Sequence, residues 1–160
     1  MIEDEVQVME EIVKRFDELS LKELYEILKV RAEVFVVEQA CAYQDLDEVD
    51  KEAYHVFFRE EGQVVAYLRV VDKSKRLDEV SIGRVISLRR RQGLGSQLMK
   101  TGIRVAKERF DAKRIKIGAQ VYAKPFYERS GFRQISDEYL EDGIPHIYML
   151  FEEMEGACTR

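Results

Sequence analysis

Hydrophobic and polar positions follow two different periods along this chain, and the switches between them mark out its elements. From Ser20 onward, Leu21, Leu24, Leu28 and Phe35 recur at helical spacing, with Ser20 as the N-cap, so the pattern predicts an amphipathic helix running to Glu38. Residues 12–16 read as a short strand ahead of it, and residues 39–52, where the period breaks, as a loop. Residues 54–60 and 64–71 are β-rich runs on either side of Glu61-Gly62-Gln63, which predicts a hairpin, and 80–87 is a third such run. A long helix is predicted over 93–110. Met99, Ile103, Ala106 and Phe110 form its stripe, widened by Leu94, Leu98 and Val105.

Beyond it, 114–119 alternates as a strand does. Residues 124–130 form a short helix with Pro125 in its first turn and Gly131 placed to end it. Residues 132–138 and 144–151 make a second hairpin around Glu141-Asp142-Gly143. The resulting order is β-α-β-β-β-α-β-α-β-β, a mixed α/β (α+β) domain rather than a doubly wound parallel sheet. With no repeat, low-complexity segment or proline-rich linker, residues 1–160 are expected to form one domain.

Composition narrows the classes. A chain of 160 residues that is 46% hydrophobic can bury a full core. Its formal charge of −5 speaks against general nucleic-acid binding, which needs a basic face. No apolar run approaches the roughly 18 residues of a membrane span, and the acidic N-terminus is unlike a signal or transit peptide. Cys41 and Cys158 lie far apart, and with two histidines they show no metal-ligand spacing. The expectation is a cytoplasmic protein with free thiols, no metal, and no membrane or nucleic-acid partner.

One stretch breaks the acidic character. Arg89-Arg90-Arg91-Gln92-Gly93-Leu94-Gly95-Ser96 is the densest positive cluster and opens the long helix. Helix N-termini hold anionic phosphates through unsatisfied N–H groups and a partial positive charge. Gly93 and Gly95 would let the backbone approach a pyrophosphate, and Arg90 and Arg91 could add charge-assisted hydrogen bonds. The stretch lacks the Gly-Lys-Ser/Thr ending of a P-loop, which disfavours a nucleotide-phosphate binder. On these residues alone a plain solvated turn is an open alternative.

In context, Arg90-x-x-Gly93-x-Gly95 after a strand and before a long helix resembles the acyl-CoA signature of the GNAT superfamily of N-acetyltransferases. Downstream, the stretch from Ala123 to Phe132, AKPFYERSGF, resembles that superfamily's A-x-x-x-Y-x-x-x-G-F segment. Val34-Phe35-Val36-Val37-Glu38-Gln39, Tyr43-Gln44-Asp45, Ile82-Gly83-Arg84-Val85 and Glu141-Asp142-Gly143-Ile144-Pro145-His146 resemble its ElaA-like group. The resemblance implies a mostly antiparallel mixed sheet, flanked by helices and splayed between the fourth and fifth strands, with acetyl-CoA as co-substrate in the cleft. It places the pyrophosphate on amides from Arg91 to Ser96, with Arg90, Arg91, Gln92, Gly93, Leu94, Gly95 and Ser96 as the cradle. Val85 or Ser87 would pair with the pantetheine arm, and Gln120 stands where many relatives carry a cofactor-touching Asn.

Acyl transfer to an amine needs a neutral nucleophile, a polarised thioester and a proton for the leaving thiolate. Tyr127 matches the family's proton donor to the CoA sulfur; its alternative is a core aromatic beside Phe126. Many relatives carry a Glu on the fourth strand as base, and this chain has none there. Glu38 and His146 are the candidates, against an exposed helix-end carboxylate and a hairpin hydrogen-bonder respectively. His55 reads as structural. Arg31 falls on the apolar side of the first helix and needs a buried carboxylate partner, which the acidic loop could supply. That loop carries Asp45, Asp47, Glu48, Asp50 and Glu52, either simply solvated or a field drawing in a cationic acceptor. The expected activity is acetyl transfer from acetyl-CoA to a primary amine, on a small molecule or peptide, by direct attack in a ternary complex. The alternative is a catalytically silent acyl-CoA-binding module. The acceptor, acyl preference and oligomeric state, homodimer included, stay open.

Overall fold

The computed structural model describes residues 9–88 and 93–154. Eight strands form one sheet in the order β1-β2-β3-β4-β5-β8-β6, with β7 also paired to β8. They are β1 (Glu10–Arg15), β2 (Tyr54–Glu60), β3 (Gln63–Val71), β4 (Val80–Ser87), β5 (Arg114–Gln120), β6 (Arg133–Gln134), β7 (Tyr139–Glu141) and β8 (Ile144–Glu152). Three α-helices accompany them: α1 (Leu21–Arg31), α2 (Leu94–Phe110) and α3 (Lys124–Arg129). β4 and β5 are parallel and joined by α2; the other strand pairs are antiparallel.

Both faces of the central strands are covered, which is why β3 reads as an almost unbroken apolar run. Val56, Phe58, Leu68 and Val70 pack with Leu98, Met99, Val105 and Ala106 of α2. On the other face Phe57 and Tyr67 meet Ile27 and Val30 of α1. A Cβ on Gly102 of α2 would lie 2.8 Å from Leu68 Cδ2, so a glycine there lets the helix lie close on the sheet.

Ser20 caps α1 as expected. Its hydroxyl accepts from Glu23 N at 3.0 Å, and Glu23 returns the bond to Ser20 N at 2.9 Å. The buried face is not the leucine stripe, however. Glu23, Ile27, Val30 and Arg31 point inward while Leu21 is 88% exposed. The α-helix also stops at Arg31, and Ala32–Glu38 continues as a π-helix. Val34, Phe35, Val36 and Val37 are β-branched or aromatic and pack poorly into a tight α turn. Such widened turns recur at functional sites.

The strand expected over 132–138 is instead two short strands with a break. Ser136 Oγ accepts from Tyr148 N at 2.8 Å, and Gln134 Nε2 donates to Ser136 O at 2.7 Å. These local bonds compete with the ladder and interrupt it. The hairpin partner of β8 around Asp142-Gly143 is therefore β7.

Candidate active site

β4 and β5 pair only through Val80 with Ile115 and Ser81 with Lys116. β5 runs on to Gln120, held on its other side by β8, so the facing edges of β4 and β5 part beyond Ser81. The crossover through α2 sets a helix N-terminus at the carboxyl end of β4, the usual place for a ligand in a sheet with a parallel pair. A cleft of about 1320 Å³ occupies this gap, walled by β4, α2, β5, α3, the π-helix and the β7–β8 turn.

The α2 end of the cleft is prepared for an anion. Gly93 takes φ +68° as the N-cap residue and offers no side chain to the first turn, which contains no acidic residue either. Gln97 N donates to Gly93 O at 3.1 Å, which starts the helix and leaves the amides of Leu94, Gly95 and Ser96 ahead of it. Gly93, Gly95 and Ser96 line the cleft, whereas the Leu94 side chain is buried in the core. The two glycines serve different needs. A Cβ at Gly93 would meet open space, so only its backbone conformation calls for glycine. At Gly95 a Cβ would stand 2.9 Å from Phe126 Cε2, so the missing side chain is used in packing α2 against α3. Arg90, Arg91 and Gln92 lie outside the described residues.

Val85 and Ser87 both line the cleft. Ser87 Oγ is buried and has no hydrogen-bond partner among the described residues. Between them and the paired part of β4, Arg84 adopts φ +54°, and the β3–β4 register shifts there. Arg84 Nε is tied to Asp45 Oδ1 at 2.8 Å and its Nη2 to Asp45 O at 3.0 Å. Sequence reasoning named Arg84 only within the Ile82-Gly83-Arg84-Val85 segment of the resemblance and gave it no role.

Tyr127 packs edge-on against Phe126 (5.0 Å between centroids) and Phe132 (6.1 Å), so its ring belongs to the core as the plainer reading held. Its hydroxyl makes no hydrogen bond to a described residue, and the side chain lines the cleft. Burial, then nearby Tyr122, push the phenol well above its ordinary range, so it stays protonated at neutral pH. Gln120 Nε2 donates to Gln39 Oε1 at 3.2 Å, bridging β5 and the end of the π-helix.

Glu38, exposed, and His146, buried, line the same cleft. His146 Nδ1 lies 2.7 Å from Ile144 O, and its Nε2 is 3.3 Å from Glu141 Oε2. Glu141 in turn approaches Arg76 Nη2 at 3.4 Å. Neither Glu141 nor Arg76 was singled out from sequence, although Glu141 shares a two-stranded face with His146 across the turn.

The acidic loop is neither simply solvated nor a free negative field. Arg31 Nε binds Asp45 at 2.9 Å and its Nη1 binds Asp50 at 2.7 Å; Arg69 binds Asp47 at 2.6 Å and Asp50 at 2.9 Å. Glu48 pairs with Lys51, and Glu52 with Lys75. The loop's charge is thus answered within the chain, with the Arg31 partnership as anticipated. Burial alone would raise the Asp47 carboxyl, but the hydrogen bonds and charge of Arg69, with Arg84, bring it down to about 2.

The family description of the acetyltransferase (GNAT) domain matches residues 16–153. Protein ElaA of Escherichia coli is 37% identical over 142 residues, covering 86% of this chain and 93% of that protein. Its crystal structure superposes with a TM-score of 0.84 at 36% identity, over 91% of this chain and all of the other. An acyl-CoA N-acyltransferase from Pseudomonas aeruginosa superposes with a TM-score of 0.81 at 40% identity, covering 89% and 99% of the two chains. Motif, fold and overall similarity converge, and the chain belongs to the GNAT acetyltransferase family, in its ElaA-like group.

Proposed function

We propose that this protein transfers an acetyl group from acetyl-CoA to a primary amine by direct attack in a ternary complex. The observation that carries the reading is the convergence on one cleft of an α2 N-terminus whose N-cap, Gly93, has no side chain and a protonated Tyr127 hydroxyl that has no hydrogen-bond partner among the described residues. The first suits a pyrophosphate. The second suits a leaving thiolate.

Arg90, Arg91 and Gln92 with Gly93, Leu94, Gly95 and Ser96 form the phosphate cradle, Val85 or Ser87 meets the pantetheine arm, and Gln120 borders the cofactor. His146 accepts the amine proton, the amine nitrogen bonds to the thioester carbon, the C–S bond breaks, and Tyr127 protonates the thiolate. Glu38 holds the incoming amine. A direct route is favoured because Cys41, the described cysteine of the cleft, has its Sγ 3.6 Å from Asp142 O with no base beside it. A cationic acceptor is favoured by Glu38 and Asp142, which line the cleft and form no ion pair with a described residue. Such an acceptor should lose kcat/KM as salt rises. Among the described residues no helix is long and apolar enough to cross a membrane. The unpaired Cys41 fits a reducing compartment, the cytoplasm.

The test is a screen of primary amines against acetyl-CoA, reading released CoA. CoA release that Glu38→Gln and His146→Ala each depress far more than they weaken CoA binding supports the reading. Calorimetric binding of CoA with no release for any amine would instead assign the chain as a silent acyl-CoA-binding module.

A further inference from the structure

His146 and Glu141 are held together by a tight turn. Tyr139 pairs with His146 and Glu141 with Ile144, so Glu141 and His146 are diagonal neighbours on one face of the β7–β8 hairpin. Asp142 at φ +50° and Gly143 at φ +76° supply the left-handed pair that such a turn needs. The turn also brings Ile144 O to 2.7 Å from His146 Nδ1. A carbonyl oxygen only accepts, so Nδ1 carries hydrogen in the neutral ring as well as in the charged one. The lone pair of the neutral ring is therefore on Nε2.

That atom lies 3.3 Å from Glu141 Oε2, while Glu141 Oε1 is turned toward Arg76 Nη2 at 3.4 Å. With Nε2 bare, two acceptors face each other across this gap. With Nε2 protonated, the same gap holds an ion pair. The arrangement is more favourable after a proton has arrived than before. The surroundings do not supply a substitute. Tyr139 stacks on the His146 ring at 5.8 Å with Tyr148 behind it, and burial, then Tyr148 and Glu141, push the Tyr139 phenol up, so it stays neutral. From β5 the opposite residue is the uncharged Gln120.

We infer that Glu141 is a positioning residue for deprotonation of the acceptor amine, its carboxylate standing beside Nε2 to stabilise the charge that His146 takes up. This rests on the proposed role of His146 as the base. In the step, an amine N–H proton passes to Nε2, the amine lone pair forms the bond to the acyl carbon, and the thiolate leaves with the proton from Tyr127. Arg76 steadies the carboxylate from its far side, and Glu141 itself touches neither substrate.

The chain's two histidines allow a direct test on ¹⁵N-histidine-labelled full-length protein. His146 should carry its hydrogen on Nδ1 in the neutral ring, read from the two ring ¹⁵N shifts, and Glu141→Gln should change its Nε2 shift while His55 is unmoved. An Nε2 shift that Glu141→Gln leaves unchanged overturns the proposal.

The kinetic arm uses acetyl-CoA with 1,4-diaminobutane as acceptor. Replacing the carboxylate by an amide should lower kcat/KM about fivefold to tenfold. In a His146→Ala background the same substitution should have no further effect. A further loss there would mean that Glu141 holds the acceptor directly, and equal kcat/KM in wild type and Glu141→Gln would mean that the pair is not used; either overturns the inference. If the wild-type protein acetylates no amine, acetyl transfer fails as a reading, and the imidazole ¹⁵N shifts still decide the pair.

Discussion

The two histidines of this chain are both buried, and their surroundings are opposite in kind. His55 Nε2 donates to Asp50 O at 2.8 Å, and His55 Nδ1 accepts from the Tyr67 hydroxyl at 2.7 Å. That neutral tautomer meets both ring nitrogens within the chain. Burial, the largest influence, pushes His55 down and keeps it uncharged. Around it Arg31, Arg69, Asp45, Asp47 and Asp50 answer one another almost completely, with Arg69 Nε the atom left over. On the cleft, by contrast, Ser87 Oγ and Tyr127 OH have no hydrogen-bond partner among the described residues, and His146 Nε2 faces a carboxylate. A saturated polar cluster specifies the fold, whereas an unsaturated one bordering a cavity is available to a substrate.

The largest expected effect tests the saturated side. Asp50→Ala leaves Arg31 and Arg69 short of a buried carboxylate and should destabilise the protein by about 3–5 kcal/mol, read by urea unfolding. A loss below about 1 kcal/mol would show that completeness of the network is not what holds it.

On the unsaturated side, Tyr127→Phe keeps the ring packing and removes the hydroxyl. Turnover should fall about 10²–10⁴-fold with acetyl-CoA affinity nearly unchanged by calorimetry. Equal turnover would mean that solvent protonates the thiolate, and the unpartnered hydroxyl would lose its meaning.

Gly95 and Gly93 sharpen the contrast between packing and access. Gly95→Ala should lose about 1–3 kcal/mol through its clash with Phe126, part of which Phe126→Ala in the same chain should restore. Gly93→Ala should lose about 1–2 kcal/mol from its left-handed backbone, with no such rescue. Identical behaviour of the two glycines under Phe126→Ala would refute the distinction.

The smallest effect is in pH. His55 has a lowered folded value, so its contribution is complete above about pH 6.5 and erodes as acid protonates the unfolded chain. Asp47 and Asp50 are also lowered, so theirs is complete above about pH 4 and is lost as pH falls toward 2. Denaturant midpoints should show a shallow decline below about pH 6.5 and a steeper one below about pH 4. A midpoint constant from pH 7 to 5 would exclude His55 from the network's energetics.

Much of the site was legible where the chemistry is local. The Gly93–Ser96 turn, the Tyr127 segment and the Pro145-His146 strand each carry their signal within a few residues, and all three border the cleft. Arg31 was legible as well, because a lone guanidinium on an apolar helix face demands a buried acid. Glu141 was not, since its meaning depends on a diagonal across a hairpin. Ser136 escaped notice for a similar reason: a hydroxyl that breaks a strand looks in sequence like one that merely decorates it.

By itself the sequence determined the element order as far as α3 and, through its short motifs, the family, because periodicity and turn chemistry act over a few bonds. Tertiary structure decided how charge is used. It matched the acidic loop to arginines from α1, β3 and β4, turned Glu23 rather than Leu21 inward, and assigned Gly95 to Phe126. It also set Glu141 against His146. A charge or a missing side chain takes its role from what stands opposite it, and in this chain those partners are supplied by the folding of the sheet.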